Sequence, residues 1–161
     1  MHIIKKAKIQ DLNEIAKISS ENFSGLKDTK NAKRWIKCNF LAYPRTQYFV
    51  ARTNGKISGY ILWIEHGGFR KEAVWELEQI AVGKNYQGQG TGTKLIEKSL
   101  SKIKKHLEKR KSALKAVKIT TRVNNRAQAL YKKTLGAEVE SIIKDLFRGD
   151  EVIMIARFTD Q

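Results

Sequence analysis

The chain has 161 residues, of which 41% are hydrophobic and only one is a proline. This length and composition predict a single globular domain over residues 1–161 and exclude a disordered or low-complexity protein. Its 32 Lys and Arg residues against 16 Asp and Glu residues give a formal net charge of +16. Such a charge attracts anionic cofactors, acidic proteins or nucleic acids, although a generally lysine-rich composition explains it equally well.

No segment of the sequence indicates secretion or membrane insertion. The N-terminal residues lack the continuous apolar core of a signal peptide. The longest apolar run, Tyr60–Ile64, is far too short to span a bilayer. A lone cysteine, Cys38, cannot form an intramolecular disulfide. We therefore expect a cytoplasmic protein.

The first elements in chain order are a strand and two helices. They are predicted as a strand at Ile3–Ala7, a helix capped by Asp11, a loop at Ser24–Asn31 and a helix near Ala32–Ala42. Aspartate suits the cap because its carboxylate accepts hydrogen bonds from the free N–H groups of a first helical turn. Pro44 ends the second helix, because a proline disfavours helical geometry in the residue before it.

A hairpin and a further strand follow. Tyr48–Arg52 and Ile57–Glu65 are β-prone segments joined by Asn54-Gly55, a dipeptide typical of two-residue hairpin turns. Gly67-Gly68 then turns the chain into an apolar strand around Trp75.

The remaining elements begin with a long amphipathic helix. Its apolar residues recur at helical spacing and are Leu95, Ile96, Leu100, Ile103 and Leu107. After it are predicted a strand at Lys115–Arg122, a helix at Asn125–Leu135 ended by Gly136, and strands at Val139–Phe147 and Glu151–Phe158 around the tight turn Arg148-Gly149-Asp150.

The element order is therefore β-α-α-β-β-β-α-β-α-β-β, without an internal repeat. Neither a helix bundle nor strictly alternating βαβ units would produce it. The order predicts an α/β (α+β) fold in which a mixed sheet of about seven strands carries helices on both faces.

A glycine loop joins the Trp75 strand to the long helix. A helix N-terminus offers free N–H groups and a favourable dipole to an anion, and glycines let a phosphate approach the backbone closely. A Rossmann fingerprint is excluded because Thr93 stands where its third glycine is required. A P-loop is excluded because Gln89 replaces its lysine. The loop therefore indicates a pyrophosphate ligand of another kind.

Two motifs, Q-x-x-G-x-G at Gln87–Gly92 and VNNRAQALYKKTLGA at Val123–Ala137, resemble those of the GNAT superfamily of N-acetyltransferases. Gln87–Gly92 reads Q-x-x-G-x-G, which is similar to the family's acetyl-CoA-binding motif. Val123–Ala137 resembles the family's N-x-x-A-x-x-[LF]-Y-x-k-x-G segment and supplies, at matching spacing, Asn124, Ala127, Leu130, Tyr131 and Gly136. The predicted element order also matches the GNAT order over nearly the whole chain, least well in the N-terminal third. The sequence departs from the family at Ala137, where an aromatic residue is common, and at Lys5-Lys6, where an arginine is.

The resemblance implies a set of cofactor contacts. The pyrophosphate of acetyl-CoA would be bound by the loop residues Gln87, Gly88, Gln89, Gly90, Thr91, Gly92 and Thr93, mainly through backbone N–H groups. The stretch Ile80, Ala81 and Val82 would lie along the cofactor, with the Ile80 N–H at the oxyanion and the Val82 backbone on pantetheine.

A pair of carboxylates lies on the same predicted strand. Glu76 and Glu78 are two residues apart, so their side chains point the same way. Partial burial and mutual repulsion would raise the pKa of at least one toward the range of a general base. By the resemblance, Glu76 takes the place of the catalytic glutamate of several members, and Glu78 lies nearer the acetyl site. An ion pair with a neighbouring Lys or Arg, or a solvated strand end, is the structural alternative.

Two residues of the second motif have implied roles as well. Tyr131 would protonate the CoA sulfur, although it shares a helix face with Ala127 and Leu135 as a core aromatic would. Asn124 would contact the pantetheine arm, although it equally suits a helix N-cap. We expect no metal, because His2, His66 and His106 are scattered and Cys38 has no CxxC partner.

The chain is thus interpreted as an acetyl-CoA-dependent N-acetyltransferase that transfers the acetyl group directly to a primary amine. The acceptor is open between a protein or peptide α-amine and a small-molecule amine, and like charge disfavours a polyamine. The alternative is a non-catalytic CoA-binding module that binds nucleic acid or an acidic partner through the basic region Lys98–Lys118. Monomer and homodimer both remain open.

Overall fold

The structure is a computed structural model that describes residues 2–23 and 28–158. Within the predicted loop Ser24–Asn31, residues 24–27 lie outside the described residues. The second helix begins at Thr29, earlier than predicted. Asp28 explains the early start, because its carboxylate accepts hydrogen bonds from the N–H groups of Lys30 and Asn31.

The elements of the described chain follow the predicted order. The helices are α1 (Leu12–Asn22), α2 (Thr29–Leu41), α3 (Thr91–Lys109) and α4 (Ala127–Leu135). The strands are β1 (Ile3–Lys6), β2 (Thr46–Thr53), β3 (Lys56–His66), β4 (Glu72–Val82), β5 (Ala113–Arg122), β6 (Glu138–Ile143) and β7 (Glu151–Arg157). Short 3₁₀ turns at Ile9–Asp11 and Lys84–Tyr86 precede α1 and α3. None of the helices in these described ranges is long and apolar enough to cross a membrane.

The strands form one mixed sheet in the order β1-β2-β3-β4-β5-β7-β6. Strands β4 and β5 are parallel, whereas β1–β2, β2–β3, β5–β7 and β6–β7 are antiparallel pairs. Parallel neighbours need a crossover connection, and α3 supplies it between β4 and β5. The predicted seven-stranded mixed sheet is confirmed.

The chain divides into two compact units, one up to Ile64 together with Gln79–Ser101, the other Glu65–Glu78 together with the residues from Lys102 onward. In the first unit, α1 and α2 bury their apolar faces against β2 and β3, and the fully buried residues there include Ile15, Ile36 and Tyr60. In the second unit, the fully buried Trp75 ring meets His106 of α3 edge-on, with ring centroids 6.3 Å apart. One domain over residues 1–161 stays a prediction.

Two local predictions are confirmed in detail. Asn54 and Gly55 have φ of 50° and 79°, which is the left-handed geometry that a two-residue hairpin turn requires. The five apolar residues predicted for the inner face of α3 are all buried, none more than 9% exposed.

Two others are wrong. Asp11 does not cap α1 with its side chain. Instead its carboxylate accepts a 2.9 Å hydrogen bond from the Lys8 N–H and lies 2.5 Å from the Arg52 guanidinium. The connection between β6 and β7 is also longer than the predicted turn, because β6 ends at Ile143 and Asp145 has a φ of 50°.

Candidate active site

The glycine loop of the first unit leads from β4 into α3. Gly88 and Gly90 have φ of 73° and 78°, a left-handed conformation that favours glycine. A Cβ at either position would meet no heavy atom within 4 Å, so backbone geometry rather than crowding requires glycine. Gly92 lies in the first turn of α3. The loop is exposed, and the first N–H groups of α3 have no partner within the helix, so this segment can bind an anion.

Side-chain amides hold this loop in place. The Gln87 amide nitrogen donates to the Val82 carbonyl at 3.1 Å, which ties the loop to the end of β4. The Gln89 amide nitrogen donates to the Asn85 carbonyl at 3.2 Å. Because both amides are used within the loop, the backbone is the part of it that is available to a ligand.

The two threonines of the motif differ. Thr91 is buried, and its hydroxyl donates to the Tyr86 carbonyl at 3.3 Å, so it stabilises the entry into α3. Thr93 is half-buried and makes no side-chain hydrogen bond to another described residue. Of the two hydroxyls, that of Thr93 is the one free to contact a phosphate.

His2 also contacts the loop, which the sequence did not indicate. Its Nε2 lies 3.1 Å from the Gln89 carbonyl oxygen, and its Nδ1 lies 2.8 Å from the Thr53 hydroxyl. The imidazole therefore links β2 to the glycine loop. No local motif marks such a histidine, since its partners are far away in the sequence.

The end of β4 combines a buried and two half-buried residues. Ala81 packs its side chain in the apolar core of the first unit. Its carbonyl oxygen would lie 2.8 Å from a Cβ added at Gly59, so β3 must carry glycine there. Ile80 and Val82 are half-buried. Any contact of Ala81 with a cofactor is therefore limited to its backbone.

Glu76 belongs to an ion-paired cluster in the second unit. Its side chain is 8% exposed, and its Oε2 lies 2.6 Å from His66 Nε2 and 3.1 Å from Lys118 Nζ. The ion pair that the sequence left open as the structural alternative is thus present for Glu76. His66 and Lys118, from β3 and β5, were not predicted as members of the site.

Glu78 has no ion pair with any residue in the described parts of the chain, and it is half-buried. Burial raises the pKa of its carboxyl, the charge of Glu76 raises it further, and the charges of Lys118 and His66 lower it. The predicted coupling of the two carboxylates is therefore seen at Glu78.

The pairing of β4 with β5 stops beside this carboxylate. The last paired residues are Glu76 and Lys118, although β5 runs on to Arg122. Within the second unit, Leu77 and Glu78 thus have no pairing partner in β5. Unpaired strand segments leave backbone groups open to other partners, and they often occur at active sites.

Tyr131 lies on α4 and is 5% exposed. Burial raises the pKa of its hydroxyl to about 12, so the phenol keeps its proton at neutral pH. Its hydroxyl makes no hydrogen bond to another residue of the described ranges. The ring is therefore buried, as the alternative of a core aromatic predicted, and the hydroxyl remains available as a proton donor.

Asn124 is exposed in the turn before α4. Its neighbour Asn125 performs the capping role, because Asn125 Oδ1 accepts a 2.9 Å hydrogen bond from the Ala127 N–H. The cap alternative for Asn124 is therefore wrong, and its amide is free to bind a ligand.

These groups provide complementary chemistry. A half-buried carboxylate with a raised pKa can act as a base, a protonated phenol as an acid, and a glycine loop at a helix N-terminus as an anion site. In the described ranges no three His, Cys, Asp or Glu side chains come together as a metal site would require.

Comparison with known proteins identifies the family. The profile of the Acetyltransferase (GNAT) family matches residues 12–137. An uncharacterized N-acetyltransferase of Methanocaldococcus jannaschii is 25% identical over 155 residues, which are 91% of this chain and 65% of that protein. The chain thus spans just under two thirds of that relative's length.

Solved structures share the fold at low identity. The ribosomal-protein-S18-alanine N-acetyltransferase of Escherichia coli matches 100% of this chain and 96% of its own, with a TM-score of 0.74 and 22% identity. An aminoglycoside 6'-N-acetyltransferase in complex with coenzyme A matches 99% of this chain and 98% of its own, with a TM-score of 0.76 and 12% identity. At these identities the likeness shows the fold alone. With the family profile matched over most of its length, the chain belongs to the Acetyltransferase (GNAT) family.

Proposed function

We propose that the chain is an acetyl-CoA-dependent N-acetyltransferase that transfers the acetyl group directly from the CoA thioester to a primary amine. The observation that carries this is Glu78, a half-buried carboxylate without an ion pair in the described ranges, at the point where the β4–β5 pairing ends. An ammonium ion has no lone pair for attack, so the acceptor needs a base in such a place.

Each group has one role in the proposed reaction. Glu78 takes a proton from the ammonium form of the acceptor, and the neutral amine nitrogen then attacks the thioester carbonyl carbon. The Ile80 N–H donates to the oxyanion that forms. The carbon–sulfur bond then breaks, and Tyr131 gives its proton to the leaving sulfur. As the amide forms, the nitrogen loses its second proton to solvent, and solvent returns a proton to Tyr131. Its pKa of about 12 keeps this phenol protonated between turnovers.

The cofactor is proposed to bind through the motif residues. Backbone N–H groups of Gln87–Gly92 would hold the pyrophosphate, with the Thr93 hydroxyl as a further donor. The backbone of Val82 and the exposed Asn124 amide would hold the pantetheine arm. Support comes from the left-handed glycines and from the coenzyme A bound by the structurally similar aminoglycoside 6'-N-acetyltransferase.

Calorimetric titration tests the cofactor assignment. Acetyl-CoA is expected to bind tightly, and ATP and NAD at the same salt concentration only weakly. Release of CoA thiol during incubation with an amine then tests catalysis. Absence of acetyl-CoA binding would contradict the proposal, and binding without turnover of any amine would favour the non-catalytic alternative.

We propose a protein or peptide α-amine as the acceptor. The segment 144–150 between β6 and β7 carries two exposed apolar residues, Leu146 at 43% and Phe147 at 72% exposure, which suit contact with a peptide chain. The structurally similar Escherichia coli enzyme is named for acetylating a protein alanine. A peptide with a free α-amine should be acetylated, and the same peptide blocked at its α-amine but carrying a lysine should not. Faster turnover of small amines, spermidine included, would instead favour the small-molecule acceptor.

The alternative function has a specific surface to test. On α3, the side chains of Lys98, Lys102, Lys105 and Lys109 are exposed and make no ion pair with a described residue. Strongly salt-dependent binding of nucleic acid, with no amine turnover, would support the non-catalytic module.

A single domain over residues 1–161 is also proposed, because the Escherichia coli enzyme is matched over nearly its whole length. Cytoplasmic location and oligomeric state stay predictions.

A further inference from the structure

The two carboxylates of β4 have opposite surroundings. Glu76 places one oxygen, Oε2, against both a histidine and a lysine, at 2.6 Å from His66 Nε2 and 3.1 Å from Lys118 Nζ. Glu78 follows two residues later and has no ion pair in the described chain. Lys118 and His66 therefore both contact the same carboxylate oxygen.

The same two strands contain a contrasting glutamate–lysine pair. Glu72 Oε1 and Lys115 Nζ are 3.6 Å apart, but their side chains are 67% and 58% exposed. Water screens such a pair, so it contributes little. The side chains of Glu76 and Lys118 are 8% and 34% exposed, which makes their mutual attraction stronger and their geometry better defined.

We propose that Lys118 and His66 are positioning residues, which hold Glu76 in ion pairs and thereby leave Glu78 as the base that faces the acceptor amine. This assignment rests on the proposed function, because it divides roles within the acetyl-transfer site. Neither residue needs to touch the substrate or the cofactor, since both act by holding Glu76 and by their charge on Glu78.

Charge placement explains why such residues are needed. Two neighbouring carboxylates without cations would share protons, and neither would be a defined base. Here the charged groups that act on Glu78 come from three strands: Glu76 of β4, Lys118 of β5 and His66 of β3. Lys118 and His66 hold Glu76 by its Oε2, and Glu78, which has no ion pair in the described chain, remains free to accept and release a proton.

The dependence of kcat/KM on pH tests this directly. The base must be deprotonated, so the acidic limb of the profile follows its titration. Lys118→Met removes a cation and should move that limb to higher pH, whereas Glu76→Gln removes an anion and should move it to lower pH. Lys118→Arg should restore the original profile, and Lys115→Met, the matched exposed lysine of β5, should not change it. His66→Gln should shift the limb in the same direction as Lys118→Met.

Several outcomes would overturn the assignment. If Glu76→Gln abolishes turnover while Glu78→Gln retains it, Glu76 is the base and the roles are reversed, although the acetyltransferase function stands. If Lys118→Met and Lys115→Met behave alike, Lys118 has no positioning role.

A readout without catalysis separates this assignment from the proposed function. Carboxyl ¹³C NMR of the intact protein follows the titration of Glu78 whether or not an amine is turned over. The same opposite shifts are expected in Lys118→Met and Glu76→Gln, and unchanged titration in both would contradict the positioning role. Failure of acetyl-CoA to bind the wild-type protein, with the NMR shifts present, would contradict only the proposed function.

Discussion

At the scale of single residues, Glu78 is a carboxylate that the fold destabilises. Burial and the charge of Glu76 raise its pKa, so the folded state binds this proton more tightly than the unfolded chain does. Its contribution to stability is therefore complete below the unfolded pKa and is lost as the pH rises through the folded pKa. A group that costs stability at neutral pH is typical of a functional site.

Glu78→Gln should therefore raise the free energy of unfolding at neutral pH while it lowers kcat/KM by about 10²–10³-fold. The stability gain should disappear at about pH 3, well below the ordinary pKa of a glutamate, where the wild-type carboxyl is protonated in both states. Urea unfolding at the two pH values measures the first effect, and CoA release measures the second. Glu72→Gln, at the exposed start of the same strand, should change neither quantity. A loss of stability at neutral pH would show that Glu78 makes a favourable interaction in the folded state.

Tyr131→Phe tests the proposed acid. The hydroxyl has no hydrogen-bond partner in the described chain, so its removal should leave the free energy of unfolding nearly unchanged. Loss of the proton donor should lower kcat by about tenfold or more. This is a small effect for the loss of a general acid, because a thiolate leaves readily without one. Since the pKa of Tyr131 is raised to about 12, the wild-type profile should show no basic limb from this residue below about pH 11. An unchanged kcat in single-turnover measurements would limit Tyr131 to packing.

The sequence predicts the two glutamates as a coupled pair but not the difference between them. Spacing on a strand is local information, and it places both side chains on one side. The difference comes from His66 and Lys118, which two other strands bring to Glu76. His2 reaches the glycine loop in the same long-range way. Partners across a sheet depend on strand order and register, which the spacing within one strand does not contain.

At the scale of elements, the local sequence predicted the structure correctly where no long-range contact competed with the local preference. The α3 periodicity and the Asn54-Gly55 turn each depend on a few neighbouring residues, and both were predicted correctly. Asp11 was assigned as a cap, but the guanidinium of Arg52 and the Lys8 N–H take its carboxylate. At Asp11, contacts in the folded structure therefore outweigh the local preference of an aspartate for capping a helix.

The glycine loop gives a prediction for an element. Gly90→Ala forces a side chain into a φ of 78° without meeting any neighbour, so it should cost about 1 kcal/mol of stability through strain alone. Because the loop then relaxes away from its anion-binding geometry, acetyl-CoA affinity should fall by about tenfold or more. Gly136→Ala is the matched control. Its φ is 68° and its surroundings are equally open, so a similar stability loss with unchanged affinity is expected. Equal affinity losses in calorimetry would mean that the loop has no special role.

At the scale of the whole molecule, the net charge of +16 is the dominant property. A field of this sign accelerates the encounter with any anion, and a CoA thioester carries several phosphate charges. Steering of this kind acts on association and is screened by salt, whereas a direct contact also changes dissociation. The exposed lysines of α3 can distinguish steering from direct contact, because Lys102 and Lys105 lie about three and four helical turns after the glycine loop.

Replacing both lysines, as Lys102→Glu and Lys105→Glu, lowers the net charge from +16 to about +12. If the field steers the cofactor, stopped-flow measurements at low salt should show a several-fold slower association of acetyl-CoA and an unchanged dissociation rate. The matching glutamine variant should show about half the effect on the logarithm of the association rate, because it removes the charges without reversing them. At about 1 M salt, where the Debye length is only about 3 Å, the three proteins should become indistinguishable. A faster dissociation rate would instead place these lysines in contact with the cofactor, and an unchanged association rate would leave a polyanionic partner as the better explanation for the basic surface.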